Sequence, residues 1–263
     1  MNWEKELFID ENEKPLDRLV EGYSNTSVFR KIAFIGDSLS SGEFETVKPD
    51  GKKGYHDLYE YSWGQYIARK NGLTAYNFSK GGMRARQYME TFAEQRGFWN
   101  PELACQAYVI ALGVNDFNHK VEVGSIEDVD KDDWRNNKHT FVGDMAAIVQ
   151  RYKEIAPDAK FFFVTMPASS DSTRNQVRNE PHAAACYALA EFFENSYVID
   201  LFKYGPVYDD RFKERFYLHS HMNASGYIFT AKMIDSYIDY IVRHNPDDFR
   251  NVGFVNSGIQ YKF

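Results

Sequence analysis

Short apolar segments alternate with amphipathic helical patterns along this chain, and that alternation restricts its fold more than any other feature. Each segment is six to eight residues long and is bounded by glycine or polar residues. Apolar runs of this length are typical of strands that are covered on both faces. The predicted strands are residues 31–36, 74–79, 107–113, 160–167 and 196–201.

Helical patterns lie between and after these strands. Residues 141–156 carry apolar side chains at helical spacing and stop before Pro157. Residues 224–242 repeat the pattern behind Asn223, a favourable N-cap. Weaker patterns predict helices over residues 57–70, 84–95 and 181–194. Strand–helix alternation at this spacing predicts an α/β fold, a three-layer α/β/α domain around a five-stranded parallel sheet, with ligands at the carboxyl ends of its strands.

Three segments stand outside the pattern. Residues 1–30 are interpreted as an N-terminal extension, residues 31–243 as the single domain, and residues 244–263 as a C-terminal extension packed on it. Residues 117–139 form a long acidic connection after the third predicted strand. Connections of this length are either functional lids or solvated loops, and both interpretations stay open.

Charge and composition exclude several kinds of partner. The 263 residues carry a formal net charge of −7 without a basic block, which argues against a nucleic-acid partner. No apolar stretch is long enough to span a bilayer, so we expect no membrane partner. The charged N-terminus lacks a signal core, which predicts a cytoplasmic protein. The two cysteines, Cys105 and Cys186, are expected to be buried free thiols.

Chemically capable residues follow the predicted strands. The first strand runs into Gly36-Asp37-Ser38-Leu39, the second precedes Gly81-Gly82, and the third precedes Asn115-Asp116. Two histidines, His219 and His221, come just before the last helix. A serine hydroxyl attacks an ester when a histidine takes its proton. The developing oxyanion needs preorganised donors, which backbone N–H groups and an asparagine amide supply.

These blocks, "GDSL", "KGG", "GVND" and "HMNASGY", resemble those of the SGNH hydrolases, the GDSL esterase/lipase family, over residues 31–242. The resemblance implies a flavodoxin-like fold and a serine esterase that needs no cofactor and no metal. It also implies that Ser38 is the nucleophile, that Gly82, Asn115 and the Ser38 N–H form the oxyanion hole, and that His221 is the base. His221 is preferred over His219 because an asparagine and a glycine follow it in the family's order.

One position departs from the family pattern. The family places an aspartate three residues before the catalytic histidine, where this chain has Leu218. A backbone carbonyl can orient the histidine instead, an acid from elsewhere can reach it, or catalysis is impaired. We favour the carbonyl, which fixes the tautomer but stabilises an imidazolium less than a carboxylate does.

Other interpretations of these residues remain. Ser38 can serve only as a helix cap, and His219 with His221 can bind a metal if the segment is extended. Tyr59, Trp63 and Asp116 are candidate substrate contacts, although an aspartate at the last position also suits a bond to loop backbone.

The predicted function is hydrolysis of a short-chain ester, with an acetylated carbohydrate as the specific expectation. The alternatives are a catalytically degenerate binding protein of the same fold, or a flavodoxin-like protein that binds flavin or phosphate after the first strand. The oligomeric state does not follow from the sequence.

Overall fold

The computed structural model describes residue 10 and residues 12–258. The described residues form nine β-strands: β1 (Lys31–Gly36), β2 (Glu43–Val47), β3 (Lys53–Asp57), β4 (Thr74–Ser79), β5 (Ala107–Ala111), β6 (Lys160–Val164), β7 (Ser196–Ile199), β8 (Tyr217–Leu218) and β9 (His221–Met222). They also form twelve α-helical segments: α1 (Ser38–Ser41), α2 (Trp63–Asn71), α3 (Ala85–Gln87), α4 (Ala93–Arg96), α5 (Val114–Asn118), α6 (Phe141–Ile155), α7 (Ser172–Arg174), α8 (Glu180–Phe192), α9 (Leu201–Tyr204), α10 (Asp210–Phe216), α11 (Ala224–His244) and α12 (Pro246–Phe249).

The central sheet confirms the predicted fold class. Its five strands are all parallel in the order β4-β1-β5-β6-β7. Gly36, the last residue of β1, pairs with Ser79 of β4 on one side and with Ala111 of β5 on the other. The loop after β1 therefore emerges between the loops that follow β4 and β5. This order brings three of the sequence blocks together at one edge.

Helices cover both faces of the sheet. One face packs against α2 and α11, with Trp63, Ile67 and Tyr227 in the buried cluster. The other face packs against α6 and α8, with Met145 and Leu189 in its cluster. Because helices bury both faces of the sheet, the sequences of its strands are almost continuously apolar.

The element ends differ from the predicted ends where the chain turns toward the candidate site. β5, β6 and β7 stop at Ala111, Val164 and Ile199, two or three residues before the predicted ends. The helix expected over residues 57–70 begins at Trp63, because Ser62 caps it by accepting from the Gln65 N–H. The helix expected over residues 84–95 is interrupted by a π-turn at Tyr88–Phe92.

The long acidic connection lies against the core. It contains 3₁₀ turns at Ile126–Asp128 and Trp134–Asn136, and its apolar side chains, Val121 and Val123 among them, contact the cluster beneath α6. Thr140 caps α6 by accepting from the Gly143 N–H.

Both predicted extensions pack on α11 where they are described. Ser24 donates to Asp235, and Glu13 pairs with Arg243, both on α11. Phe249 and Val252 are buried in the cluster on the same face. Residues 1–9, 11 and 259–263 of these extensions lie outside the described residues. In the described part of the chain, no helix combines the length and apolar character needed to cross a bilayer.

Candidate active site

The turn that carries Ser38 is built by its neighbours. Asp37 caps α1 through its Oδ1 atom, which accepts from the Leu39 N–H at 3.0 Å. A side chain at Gly36 would collide with Ser40 Oγ, so only glycine lets the chain reverse this closely. Ser38 is half-buried and begins the helix. A serine held on a tight strand-to-helix turn is accessible and fixed, as a nucleophile needs to be.

The loop after β4 is joined to the end of β1, because the Lys80 N–H donates to the Gly36 carbonyl at 3.2 Å. Gly82 has a φ of 72°, a left-handed conformation that glycine adopts without strain, and no atom lies within 4 Å of the place where a Cβ would be. Among the described residues, neither the Gly82 N–H nor the Ser38 N–H donates a hydrogen bond. Two unpaired N–H groups beside an accessible serine suit an oxyanion.

Asn115 links the strand-end loops. Its Nδ2 donates to Asp37 Oδ2 and to the Met83 carbonyl, each at 3.2 Å. Asp116, the next residue, accepts from the Ala85 N–H at 3.1 Å. The loops after β1, β4 and β5 are therefore tied into one unit.

His221 lies between two glutamates. Its Nδ1 is 3.2 Å from Glu45 Oε2, and its Nε2 is 3.0 Å from Glu43 Oε1. Ser38 Oγ makes no hydrogen bond to His221 within residues 12–258. The ring nitrogen that would accept the serine proton therefore contacts Glu43 in this structure.

Glu45 is an ionised carboxylate in a buried position. Its side chain is fully buried, while Lys53 Nζ lies 2.6 Å from Oε1 and the Ser220 N–H donates to Oε2 at 3.0 Å. Burial raises the pKa of the Glu45 carboxyl, but hydrogen bonds from Lys53, Ser220 and His221 outweigh it and hold that pKa well below its ordinary value. Glu45 therefore presents a full negative charge to His221 Nδ1.

The β2–β3 hairpin brings both glutamates to the histidine. Residues two apart on a strand share a face, so Glu43 and Glu45 point the same way. Ser41 Oγ donates to Asp57 of β3 at 2.7 Å, and the Tyr227 hydroxyl donates to the Glu43 carbonyl at 2.6 Å. These bonds fasten the hairpin to the Ser38 turn and to α11.

The group that contacts His221 Nδ1 is an acid from elsewhere in the chain and not the backbone carbonyl that we favour from the sequence. Leu218 pairs with His221 across the short β8–β9 hairpin and offers no acid there. A carboxylate from β2, rather than a backbone carbonyl, contacts Nδ1. Sequence reasoning missed Glu43 and Glu45, although "TVKPDGKKG" has the Pro-Asp-Gly turn expected between two hairpin strands.

His219 is placed apart from His221. It occupies the turn between β8 and β9 with a φ of 56°, so the segment is not extended there. Its side chain lines a neighbouring cavity, whereas His221 faces the hairpin. Among the residues that the structure describes, no group of three or more His, Cys, Asp or Glu side chains is arranged to hold a metal ion.

Two buried aspartates beneath the site have raised pKa values. Burial raises the pKa of Asp37 to about 6, and the neighbouring charge of Asp116 contributes in the same direction. Burial likewise raises the pKa of Asp116 to about 6. The loop unit that holds Ser38 is therefore sensitive to pH in the mildly acidic range.

A cavity of about 320 Å³ opens beside the Ser38 turn. Asp37 and Leu39, the two neighbours of Ser38, line it, whereas Ser38, Gly82, Asn115 and His221 do not. Its remaining walls come from α1, from the ends of β5 and β6 and the residues after them, from α2, α7, α9, α10 and α11, and from the β8–β9 hairpin. The cavity is thus positioned to hold a part of a substrate adjacent to the attacked bond.

The three candidate substrate contacts take different positions. Trp63 is 2% exposed, packs edge-on against Phe34 at 5.0 Å between ring centroids and lines the cavity. Tyr59 lies outside the cavity lining, and its buried hydroxyl has no partner among the described residues. Asp116 is buried and holds loop backbone, as the alternative interpretation expected. Tyr55, 53% exposed, lies edge-on to His221 at 5.6 Å and is an aromatic neighbour that sequence reasoning did not select.

Comparison with known families and structures extends these observations. Residues 34–228 match the family model described as "GDSL-like Lipase/Acylhydrolase family". The comparison with curated proteins gives no match.

Solved structures share the fold at low sequence identity. A family two carbohydrate esterase from Clostridium thermocellum, in complex with cellohexaose, is 15% identical with a TM-score of 0.57, over 88% of this chain and 66% of that one. A carbohydrate acetylesterase from Sinorhizobium meliloti is 15% identical with a TM-score of 0.54, over 81% and 99% of the two chains. A lipase/acylhydrolase from Enterococcus faecalis is 18% identical with a TM-score of 0.51, over 81% and 96%.

Proposed function

Because the chain belongs to the GDSL-like lipase/acylhydrolase family, we propose that it is a serine esterase that cleaves short-chain esters and that its substrate is an acetylated carbohydrate. The family supports an ester hydrolase; the acyl group, the alcohol and the roles of individual residues are the proposal. One observation carries it: Asn115 ties the Ser38 turn to the loop of Gly82, and the N–H groups of Ser38 and Gly82 donate no hydrogen bond among the described residues.

The proposed reaction begins with attack of Ser38 Oγ on the ester carbonyl carbon. His221 Nε2 accepts the serine proton, and the carbonyl oxygen becomes an oxyanion. The Ser38 and Gly82 N–H groups donate to it, joined by Asn115 Nδ2 when that amide turns from one of its present acceptors. The C–O bond to the alcohol then breaks, and His221 returns the proton to the leaving oxygen. Water attacks the acyl-enzyme by the same route and releases the acid.

His221 needs one rearrangement before it accepts that proton. Nε2 now contacts Glu43 Oε1, so the carboxylate has to move away before Nε2 reaches Ser38. Burial raises the pKa of Glu43 above its ordinary value, although the adjacent His221 acts in the opposite direction. Because this carboxylate is costly to keep charged in place, we expect the ester group of the substrate to displace it.

Glu45 takes the place of the family's aspartate in this proposal. It holds Nδ1, fixes the tautomer and stabilises the imidazolium that forms during both proton transfers. Lys53 pairs with Oε1 and the Ser220 N–H donates to Oε2, so both oxygens of the carboxylate are held in place.

The carbohydrate part of the proposal rests on two supports. Two of the structural neighbours are named as carbohydrate esterases, and their low identity makes this a guide to the choice of substrates. The second support is aromatic: Tyr55 and Tyr61 expose about half of their surface near the hairpin, and aromatic rings bind sugar faces.

A substrate panel on wild type and Ser38→Ala tests the proposal. Acetylated sugars, p-nitrophenyl acetate and longer acyl esters are assayed, together with covalent labelling by a fluorophosphonate. We expect acetyl esters to be cleaved fastest and both hydrolysis and labelling to disappear in Ser38→Ala. His221→Ala should lose far more activity than His219→Ala. Wild-type turnover in Ser38→Ala would refute the mechanism, and a wild type that neither labels nor turns over would indicate a binding protein instead.

A further inference from the structure

The cavity beside the Ser38 turn combines an apolar floor with a cationic rim. Trp63, Leu201 and Ile234 contribute the floor. Arg174, Arg178 and Lys213 contribute the rim. Three cations on one small cavity are unexpected in a chain whose formal net charge is −7, so the composition of the whole surface does not account for them.

The two arginines lack acidic partners. Arg178 Nε donates to the sulfur of Met166 and its NH1 donates to Asn118 Oδ1, each at 3.1 Å. The Arg174 guanidinium makes no hydrogen bond or ion pair among the described residues. Lys213 has only the exposed Asp210 at 3.8 Å. Asp37 also lines the cavity, but it is buried and already accepts hydrogen bonds from the Leu39 N–H and Asn115 Nδ2.

The lack of a carboxylate partner is costly for Arg178, which is half-buried. Burial and the charge of Arg174 lower the pKa of Arg178 to about 10, although the charge of Asp37 acts in the opposite direction. A carboxylate ligand would supply the missing partner, since the planar guanidinium binds a carboxylate with two parallel hydrogen bonds.

From this arrangement we infer that the ester substrate carries a carboxylate, which Arg174 and Arg178 bind in the cavity next to the attacked carbonyl. This inference rests on the proposed esterase function and specifies its substrate class. Two kinds of ester carry such a carboxylate. It belongs either to the acyl group, as in a dicarboxylic acid monoester, or to the alcohol, as in an acetylated uronic acid. The apolar floor then contacts the carbon skeleton between the carboxylate and the ester.

Matched pairs of esters distinguish these sources. The acyl pair is p-nitrophenyl hemisuccinate against p-nitrophenyl butyrate, and the alcohol pair is acetylated galacturonic acid against acetylated galactose. We expect wild type to prefer the charged member of one pair by about tenfold or more in kcat/KM, which is the usual effect of a charge-assisted pair. The preference should weaken as sodium chloride rises from about 0.02 M to about 0.5 M, because salt screens partly exposed charges.

Two substitutions assign the preference to the cavity. Arg174→Gln and Arg178→Gln should each reduce the charged-to-neutral ratio of kcat/KM toward one. Arg174 is exposed, so its variant keeps the test valid if Arg178→Gln fails to fold. Arg135→Gln is the matched control: it also removes one exposed arginine, which pairs with Asp133 away from the cavity, and it should leave the ratio unchanged.

The outcomes separate this inference from the proposed function. Two results would overturn this inference and leave the esterase proposal standing. In the first, hydrolysis depends on Ser38 but shows no charge preference in either pair. In the second, a charge preference exists but Arg174→Gln leaves it intact. If no ester is cleaved, the esterase proposal fails, and calorimetry with succinamate against butyramide decides the cavity. Tighter binding of succinamate that Arg174→Gln weakens supports the anion site, and equal binding of the two amides overturns it.

Discussion

At the scale of single residues, the two nitrogens of His221 contact different carboxylates. Nδ1 faces the buried Glu45 at 3.2 Å, and Nε2 faces the more accessible Glu43 at 3.0 Å. The first contact is braced by Lys53 and Ser220. Among the described residues, no other side chain holds the Glu43 carboxylate, which also packs against the Gly81 turn. In the proposed mechanism, Glu45 therefore orients the imidazole, and Glu43 occupies the position at Nε2 that the Ser38 hydroxyl takes during the reaction.

Glu45→Gln should reduce kcat by about 10²- to 10⁴-fold with little change in KM, because the wrong tautomer of His221 is then favoured and its cation is not stabilised. Steady-state kinetics on p-nitrophenyl acetate measures the effect, with circular dichroism to verify folding. Glu102→Gln, at an exposed position, is the control and should behave as wild type. A Glu45→Gln variant with full kcat would remove Glu45 from the mechanism.

Glu43→Gln should accelerate labelling of Ser38 by a fluorophosphonate, because a neutral amide binds the imidazole less tightly than a carboxylate does. The pseudo-first-order labelling rate measures this effect at pH 7.5, and Glu60→Gln serves as the exposed control. Slower labelling would mean that Glu43 participates in catalysis rather than occupying the place of the serine.

At the scale of elements, the site depends on α1 and its cap. Asp37 caps this four-residue helix and also accepts from Asn115 of α5. One buried carboxylate therefore couples the geometry of the nucleophile turn to that of the neighbouring loop. Its pKa of about 6 lies above the ordinary value of 3.8, so the protonated form favours folding. That contribution is complete below about pH 4 and is lost as the pH rises through about 6.

Asp37→Asn keeps a capping oxygen but removes the charge. Wild type loses this contribution as the pH rises, whereas the variant has no charge to acquire. The free energy of unfolding of the variant minus that of wild type should therefore be larger at pH 7.5 than at pH 4.5, by at most about 3 kcal/mol. Urea unfolding of both proteins at the two pH values measures this double difference. Asp210→Asn, an exposed control, should show none. An Asp37→Asn variant with the same pH dependence as wild type would contradict the raised pKa.

At the scale of the whole molecule, α11 connects the site to the N-terminal segment. Tyr227, in its first turn, holds the start of β2, whereas Asp235, two turns further, lies in a buried polar network. Asp235 accepts from Ser24 at 2.7 Å, from Lys70 at 2.8 Å and from Asn71 at 2.9 Å. This network joins the N-terminal segment, α2 and α11.

Asp235→Ala should destabilise the protein by about 3–5 kcal/mol, because it removes the buried carboxylate that pairs with Lys70 and accepts from the buried Ser24 and Asn71. Urea unfolding measures the loss, and kcat/KM of the folded enzyme should stay within about twofold of wild type, since no site residue is touched. Asp247→Ala, at an exposed position, should change stability by less than about 0.5 kcal/mol. A loss of activity in folded Asp235→Ala would show that the network also positions the site.

The sequence by itself determined the sheet and the places of Ser38, Gly82 and Asn115. Each follows its own strand within a few residues, and apolar periodicity with local turn chemistry identifies such strand ends. The tertiary structure alone decided the partners of His221 and the cationic rim of the cavity. Glu45 and His221 are 176 positions apart, and Arg174 and Lys213 come from separate helices. No local pattern encodes such meetings, because they result from how the β2–β3 hairpin and the segments after β6 and β7 pack over the sheet edge.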